Sequence, residues 1–310
     1  MTPRSILRSL VRVARRSLQR RPRIVMTLLC RDEEDIVGHN IAYHLAQGVD
    51  FIIATDNAST DRTPMLLERF ARQGSLHLIH EPRLIHDQAV WVTRMAQMAA
   101  KRFDADWVIN NDADEFWLST KSTVRAALAA LPHDAECLAV PRFDMAPPRD
   151  SRAQFFEAMT LRLTDHKNVH GPILNPKVCH RAYVDVHISD GNHHVTRRSR
   201  AMTERSDHSL QILHFPLRSA KQLERKIRQG SEALQANARV GSSIGSHWHR
   251  LYRDYLLPGR LDQYYEERVP SAEQAASGLA RGTLVEDTRI RDELRRIGYL
   301  AHDRPSAASD

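Results

Sequence analysis

The chain has 310 residues, enough for one large α/β domain with an extension. Its content of 42% hydrophobic and 27% charged residues is ordinary for a globular protein. The net charge of +7 is local, because residues 1–23 hold eight arginines and no acid, and the remainder has 37 basic against 38 acidic residues. A nucleic-acid binder carries its basic surface on the fold itself, so no nucleic-acid partner is expected.

The three cysteines lie far apart, at positions 30, 137 and 179, and none belongs to a CxxC motif. This spacing speaks against a structural zinc knuckle. An odd number of dispersed cysteines favours a reducing compartment, so we expect a cytoplasmic protein.

Residues 4–20 predict a basic amphipathic helix, with arginines on one face and aliphatic residues on the other. Such a helix is typical of peripheral contact with an anionic membrane surface, here the inner face of the membrane. A disordered basic tail and an organellar targeting peptide are the alternatives. No stretch reaches the roughly 18 apolar residues that a membrane-spanning helix needs.

From residue 24 onward, the pattern alternates between short apolar runs and amphipathic stretches. Strands are predicted at 24–29, 49–55, 75–80 and 107–109, and helices at 33–47, 61–73 and 86–103. We expect Asp32 to cap the first of these helices, and Gly48 and Gly74 to end the first two. Strands separated by helices predict parallel βαβ units with right-handed crossovers.

The alternation weakens after residue 120. A helix is predicted at 123–131, a strand at 137–140, short strands with many histidines over 141–214, and a helix at 219–238. We therefore divide the chain into a basic N-terminal segment (1–22), two halves of one α/β domain (23–120 and 121–240) and a C-terminal helical extension with a disordered tail (241–310).

Three carboxylates, Asp112, Asp114 and Glu115, follow directly after the fourth predicted strand. Like charges this close raise each other's pKa, and a divalent cation removes that cost. Hard oxygen ligands suit Mg²⁺ or Mn²⁺, which keep open positions for substrate phosphates. Because ligands of parallel sheets bind beyond the carboxyl ends of the strands, the polar residues after the first and second strands belong to the same candidate site.

Three segments carry a family resemblance: Arg-Asp-Glu-Glu at 31–34, Asp-Asn-Ala-Ser-Thr-Asp at 56–61 and Asp-Ala-Asp-Glu-Phe at 112–116. With them the chain resembles a family 2-type glycosyltransferase with a GT-A fold, of a bacterial branch. Weaker similarity follows at 175–177, 191–193 and 214–219. The resemblance implies a Rossmann-like α/β fold, with a mostly parallel sheet, helices on both faces and a C-terminal helical extension.

The resemblance also implies roles for single residues. Asp112 and Asp114 would form the DxD element that holds Mn²⁺ or Mg²⁺, with Asp112 also contacting the nucleotide. The nucleotide would further contact Arg31, Glu33, Asp56 and Asn57. Each has a structural alternative: turn and helix-cap chemistry for the pair at 56–57, and a surface ion pair for Arg31.

Later residues would complete the site. His214 is expected as a third metal ligand, and Arg218 and Lys226 as contacts of the diphosphate when a C-terminal segment closes. Their alternatives are a core histidine and solvated helix charges. The family's usual late Glu-Asp motif is not evident, so the general base has three candidates: Asp144, Asp190 and His193.

The implied reaction transfers a sugar from a nucleoside diphosphate sugar, with a UDP-sugar favoured, to a hydroxyl of a glycan or lipid-linked acceptor. The family is typically inverting, and surface glycan assembly fits the membrane contact. A sugar-1-phosphate nucleotidyltransferase and a non-catalytic sugar-nucleotide-binding protein are the alternatives. A metal-dependent hydrolase would need paired ligands such as His166 and His170, and the Gly-Pro that follows argues against a helix there.

Overall fold

The computed structural model describes residues 21–85, 87–165, 169, 173–206, 209–235 and 246–299. The helix predicted at 4–20, the tail after 299 and the histidines at 166 and 170 lie outside the described residues.

Strands and helices alternate in the first third of the chain. In order they are β1 (Ile24–Cys30), α1 (Val37–Ala46), β2 (Phe51–Asp56), α2 (Thr63–Arg72), β3 (Leu76–His80), α3 (Gln88–Arg102) and β4 (Trp107–Asp112). The predicted strands and helices are confirmed, with ends shifted by a few residues. Gly48 and Gly74 follow α1 and α2 with φ of 97° and 76°, a conformation that glycine adopts without steric cost.

The middle of the chain consists mainly of short strands. They are β5 (Glu115–Ser119), α4 (Val124–Ala129), β6 (Cys137–Val140), β7 (Arg142–Asp144), α5 (Phe155–Ala158), β8 (Leu161–Leu163), β9 (Lys177–Arg181), β10 (Val186–Ile188), β11 (Val195–Arg197), β12 (Arg200–Ala201), β13 (Glu204–Ser206) and β14 (Leu210–His214). A 3-10 turn, Asp190–Asn192, lies between β10 and β11.

The last part of the described chain is mainly helical. It contains α6 (Ala220–Gln235), α7 (Ser246–Leu251), a π-helical turn (Tyr252–Leu256), α8 (Leu261–Glu266), α9 (Ala272–Arg281), β15 (Leu284–Glu286) and α10 (Arg289–Ile297). The capping box of Ser271 and Gln274 fixes the start of α9. No helix among the described residues combines the length and the apolar composition needed to cross a membrane.

The central sheet has seven strands in the order β13-β6-β9-β4-β1-β2-β3. All neighbours are parallel except β9, which runs antiparallel to both β4 and β6. The carboxyl ends of β1, β2 and β4 therefore meet at one edge of the sheet.

Both faces of this sheet are covered. On one face Met26 and Ile52 pack in a cluster with Ile41 of α1 and Leu67 of α2. On the opposite face Val25, Ile53 and Val108 pack with residues of α3. A strand buried on both faces needs an almost continuous apolar sequence, which β1 has. The predicted α/β class, a mostly parallel sheet with helices on both faces, is confirmed.

A second sheet has the strand order β5-β14-β7, and its strands follow β4, β13 and β6 of the central sheet, respectively. In its register His214 lies opposite Glu115 on one side and Asp144 on the other. This pairing joins residues that are 70 and 99 positions from His214 at the same edge as the carboxyl end of β4.

The C-terminal part packs against the N-terminal half of the sheet. Ile290 and Leu294 of α10 are buried in the same cluster as Met26 and Ile41. The strand β15 pairs with β8. The chain division predicted at 22, 120 and 240 stays a prediction.

One local prediction is wrong. Asp32 does not cap a helix, because α1 begins only at Val37. Its carboxylate instead accepts hydrogen bonds from the backbone amides of Thr60, at 2.6 Å, and Asp61, at 3.1 Å. Asp32 thus ties the loop after β1 to the loop after β2, and its φ of 50° is part of that local structure.

Candidate active site

A cleft at the carboxyl ends of β1 and β4 consists of two adjoining cavities. The strand-end cavity, about 350 Å³, is lined by Arg31, Glu33, Gln88 and Trp91 among others. The helix-side cavity, about 440 Å³, is lined by Arg142, His193, Leu223 and Tyr264 among others. Both share one wall, formed by Asp112, Asp114, His214, Lys226 and Trp248.

Asp112 and Asp114 reach this wall because β4 ends there and turns directly into β5. Asp112 Oδ1 accepts from Asn192 Nδ2 at 3.0 Å, and its other oxygen pairs with the ammonium of Lys177. Asp114 Oδ2 accepts from Lys226 Nζ at 2.6 Å. Although burial alone would raise it, Lys226 and His214 hold the pKa of Asp114 well below its usual value. Both carboxylates are therefore paired with ammonium groups of the chain itself.

Glu115 lies behind the wall. It is fully buried, and its Oε1 accepts from Arg142 Nη1 at 2.7 Å and pairs with Lys177 Nζ at 3.1 Å. Lys177 is only 1% exposed and lies between Glu115 and Asp112. Burial would lower the pKa of Lys177, but the two carboxylates raise it, so the side chain stays charged. This buried cation fixes the position of Asp112 from behind.

His214 is held by Asp144. The carboxylate of Asp144 is fully buried, and it accepts from His214 Nδ1 at 2.7 Å and from the Val169 amide at 2.8 Å. The other ring nitrogen of His214, Nε2, lies 3.6 Å from Asp114 Oδ1. Burial lowers the pKa of His214, but Asp144 and Asp114 outweigh it and raise the pKa to about 9. Asp144 thus orients His214; it borders the helix-side cavity, but both of its oxygens already accept hydrogen bonds.

Asp190 and His193 differ in their surroundings. Asp190 Oδ1 accepts from the Ala89 amide at 3.1 Å, in the first turn of α3. His193 lines the helix-side cavity, and its Nδ1 donates to the Pro176 carbonyl at 2.8 Å. Burial, helped by the charge of Lys177, lowers the pKa of His193 to about 4. His193 is therefore a neutral imidazole at neutral pH, with Nε2 as a proton acceptor.

Glu33 extends the wall toward α6. Its Oε1 pairs with Lys226 Nζ at 3.0 Å, and its Oε2 accepts from Arg218. Arg218 also binds Asp35, with Nε 2.6 Å from Oδ2, and is only 4% exposed. Burial raises the pKa of Glu33 despite Lys226 and Arg218. Among the described residues, Arg218 lies behind Glu33 and lines neither cavity, whereas Lys226 lines both.

The residues after β1 and β2 occupy the opposite side of the strand-end cavity. Arg31 and Asn57 line it, while Asp56 is 4% exposed and lies deeper. The side-chain amide of Asn57 donates to the backbone carbonyls of Glu81, at 3.2 Å, and Arg83, at 2.7 Å, so Asn57 also fixes the loop after β3. Asp56 Oδ1 has no hydrogen-bond partner among the described residues.

Lys177, Trp248 and Gly230 are among the cleft residues that were not predicted as site residues. Lys177 is the first residue of β9, and a lysine at the start of a buried strand is the signal that reveals it. Trp248 belongs to an aromatic-rich stretch of the sequence that does not reveal a cavity wall. Gly230 lies in the middle of α6, and a Cβ there would come within 2.8 Å of Trp248 Cγ. The sequence signal that could have revealed Gly230 is a glycine in the interior of a predicted helix.

The donor types at the wall fit a divalent cation in part. Among the described residues, no three His, Cys, Asp or Glu side chains form a metal-binding group. Asp114 and His214 nevertheless offer an oxygen and a nitrogen 3.6 Å apart. A carboxylate behind the histidine, here Asp144, is the usual support of a metal-ligating imidazole. Carboxylate oxygens suit Mn²⁺ or Mg²⁺, and imidazole is a ligand of several divalent metals, so the pair offers two candidate ligands for such an ion.

Comparison with known proteins gives one family. The model of glycosyltransferase family 92 matches residues 30–229. A search of curated proteins finds no match.

Solved structures of low similarity include S. aureus TarS 1-349 in complex with UDP, with 14% identity, 89% of this chain and 90% of that chain covered, and a TM-score of 0.38. The mannosyltransferase PcManGT from Pyrobaculum calidifontis, in complex with GDP-Man and Mn²⁺, has 14% identity, 91% and 86% coverage and a TM-score of 0.38. The glycosyltransferase class predicted from the sequence is confirmed, while the family 2-type assignment is not. Because the family model matches more than half of its residues, the chain belongs to glycosyltransferase family 92.

Proposed function

We propose that this glycosyltransferase transfers a sugar from a nucleoside diphosphate sugar, with a UDP-sugar favoured, to a hydroxyl of a glycan or lipid-linked acceptor. The observation that carries the proposal is the shared wall of the two cavities. A transferase must hold two substrates on either side of the bond that it breaks. A single pair of carboxylates facing both cavities, at the carboxyl end of β4, meets that requirement.

The strand-end cavity is assigned to the nucleotide. Arg31 and Asn57 line it, and Lys226 supplies a positive charge for the diphosphate. Asp56, next to Asn57, carries a buried oxygen that has no hydrogen-bond partner within the described part of the chain. Arg218 supports this arrangement from behind, by fixing Glu33. The helix-side cavity, with the aliphatic and aromatic side chains of α6, α7 and α8, is assigned to the acceptor.

A divalent cation, Mn²⁺ or Mg²⁺, would be held by Asp114 and His214, with Asp112 near the nucleotide. When bound, it supplies a Lewis acid that neutralises charge on the departing diphosphate. The protein's own residues then have separate tasks. Asp144 fixes the ring of His214, Lys177 fixes Asp112, and Lys226 adds a second positive charge near the diphosphate.

His193 is the best placed of the three candidates for the general base. Asp144 and His193 both line the acceptor cavity, but Asp144 is fully buried and its two oxygens accept from His214 and from the Val169 amide. Asp190 accepts from the backbone of α3, whereas His193 is neutral. Its Nε2 would take the proton of the acceptor hydroxyl while Nδ1–H stays on the Pro176 carbonyl. A base on the acceptor side corresponds to direct displacement, with inversion at the sugar carbon.

Calorimetry with a panel of nucleoside diphosphates, with and without Mn²⁺, tests the proposal. We expect UDP to bind, and to bind more tightly with the metal. Replacing Asp114 with alanine should abolish the metal-linked part of the binding, because the carboxylate is the oxygen donor of the site. Asp262→Ala, an exposed carboxylate on α8, is the matched control.

Failure of every nucleoside diphosphate to bind in a metal-dependent manner would refute the proposed donor. Unchanged binding by Asp114→Ala would remove that residue from the site. Turnover with a panel of sugar nucleotides would then identify the sugar.

We further propose a role in surface glycan assembly at the inner face of the membrane, reached through residues 4–20. The support is the basic amphipathic sequence of that segment. Co-sedimentation with anionic liposomes tests it, since deletion of residues 1–22 should abolish the partition. Unchanged partition would refute the membrane contact.

A further inference from the structure

Lys226 occupies an unusual position for a residue assigned to a substrate phosphate. Its ammonium lies between two carboxylates of the wall, 2.6 Å from Asp114 Oδ2 and 3.0 Å from Glu33 Oε1. Both carboxylates are 7% exposed, so water screens this interaction little. Burial would lower the pKa of Lys226, but Asp114 and Glu33 raise it. The ammonium is thus a counter-ion built into the protein.

The same carboxylate is the oxygen donor of the proposed cation site. Asp114 Oδ1 faces His214 Nε2 at 3.6 Å, while Oδ2 of the same group is bound to Lys226. A cation held by Asp114 and His214 would therefore lie beside the ammonium of Lys226. Two like charges this close repel, and the burial of Asp114 and Glu33 reduces the screening by water.

We propose that Lys226 and a divalent cation compete for Asp114, so that cation binding releases Lys226 from the wall. The released ammonium stays within the cleft, because Lys226 lines the cavity assigned to the nucleotide as well as the one assigned to the acceptor. After its release, Lys226 meets the diphosphate of the donor. This identification of the group rests on the proposed function. Lys226 thus has two positions, one in the protein without the cation and one in the protein with the cation bound.

Other contacts of the wall favour movement of Lys226 over movement of its neighbours. Arg218 is 4% exposed and is bound to Glu33 and Asp35, and Lys177 is 1% exposed between Asp112 and Glu115. Lys226 has a side chain that is 22% exposed and opens onto the cleft. Of these three cations it is the one that can leave its carboxylates without entering the core.

Titration of Mn²⁺ by electron paramagnetic resonance, without nucleotide, tests the competition directly. Lys226→Met removes the competing charge and keeps the length of the side chain, so we expect its dissociation constant for Mn²⁺ to fall at least tenfold. Lys221→Met, an exposed lysine on the same helix, should stay within twofold of the wild type. Lys226→Arg keeps the charge and should not bind Mn²⁺ more tightly.

A second measurement uses the unmodified protein. Mn²⁺ should increase the labelling rate of Lys226 by an amine-reactive reagent, read by mass spectrometry, with Lys221 in the same digest as the internal reference. Unchanged or slower labelling of Lys226 with Mn²⁺ overturns the proposal, as does Mn²⁺ binding by Lys226→Met that equals that of the wild type or is weaker. Both experiments omit nucleotide, so their outcome is separate from that of the sugar-nucleotide panel.

Discussion

Two histidines of the cleft have opposite protonation states. His214 lies between Asp144 and Asp114, which raise its pKa to about 9. Burial, helped by the charge of Lys177, lowers the pKa of His193 to about 4, although the hydrogen bond from its Nδ1 to the Pro176 carbonyl opposes this shift. At neutral pH and without a bound metal ion, His214 is protonated, whereas His193 is a neutral imidazole that can accept a proton. The burial and the charges around each ring, and not the residue type, decide which role it can take.

His193→Ala tests the assignment of the base. We expect the turnover number to fall by about 10²–10⁴, the usual contribution of a positioned base, with little change in the Michaelis constant for the donor. Steady-state kinetics with the sugar nucleotide found in the panel is the measurement. His194→Ala is the control, because His194 is exposed and pairs with Glu204 outside the cleft. Turnover by His193→Ala within tenfold of the wild type would contradict the assignment.

Prediction from the sequence alone named Asp112, Asp114 and His214, since a carboxylate motif after a strand and a late histidine are visible in the chain; all three lie in the wall shared by the two cavities, and their roles stay predictions. It could not choose among Asp144, Asp190 and His193. Their partners, which decide the choice, come from distant segments: the Val169 amide for Asp144, the start of α3 for Asp190 and the Pro176 carbonyl for His193. None of these contacts leaves a pattern in the sequence.

At the scale of elements, α6 and α7 form one side of the cleft through a close contact. The ring of Trp248, on α7, packs directly over Gly230, on α6. Because Trp248 belongs to the wall shared by both cavities, this contact sets how wide the cleft is. A helix interior usually disfavours glycine by about 1 kcal/mol relative to alanine. The glycine is thus explained by the space that the indole occupies.

Gly230→Ala tests this contact. The new Cβ would lie 2.8 Å from Trp248 Cγ and 2.9 Å from Cδ1, so the indole must move. We expect the dissociation constant for UDP with Mn²⁺ to rise about tenfold, an effect of about 1.4 kcal/mol, while the melting temperature changes little. Glu232→Ala, exposed on the same helix, should leave the affinity unchanged. An unchanged affinity of Gly230→Ala for UDP would show that the position of Trp248 does not determine the width of the cleft.

Elements differ in how far the sequence predicts them. The first four strands and three helices follow from apolar runs, amphipathic stretches and glycines, all of them local signals. The second sheet does not: β14 pairs with β5 and β7, which are separated from it by more than sixty residues. Since strands of three to five residues carry almost no periodicity, their pairing is set by tertiary packing and register.

At the scale of the whole molecule, two buried histidines link stability to pH. His44 donates from Nδ1 to the Asn40 carbonyl at 2.8 Å, and its Nε2 accepts from the Trp117 amide at 3.1 Å. A second proton would therefore face an N–H donor. Burial lowers the pKa of His44 and of His180 to about 4, so both are neutral in the folded protein.

Acid should therefore destabilise the fold well above the range where carboxylates titrate. Between pH 6.5 and 4 the unfolded chain binds protons at these two positions and the folded chain does not, so stability falls as pH falls. Together these two positions should lower the free energy of unfolding by about 4 kcal/mol between pH 7 and pH 5. Urea titrations with EDTA present are the measurement. His44→Gln should remove about 2 kcal/mol of the pH dependence of the wild type, its half of this contribution, and an unchanged dependence would contradict the assignment.

The burial of Ile290 and Leu294 beside Met26 has a consequence for how the chain is made. The ribosome releases β1 early, whereas Ile290 and Leu294, which help to cover it, follow more than 250 residues later. Until then an apolar surface of the nascent protein stays exposed to water and to chaperones. An expression fragment cut at the limits of the family match, 30–229, would lack nearly all of β1 as well as α10, and so both sides of this contact. The segment that the family model matches is thus shorter than the segment that folds as one unit.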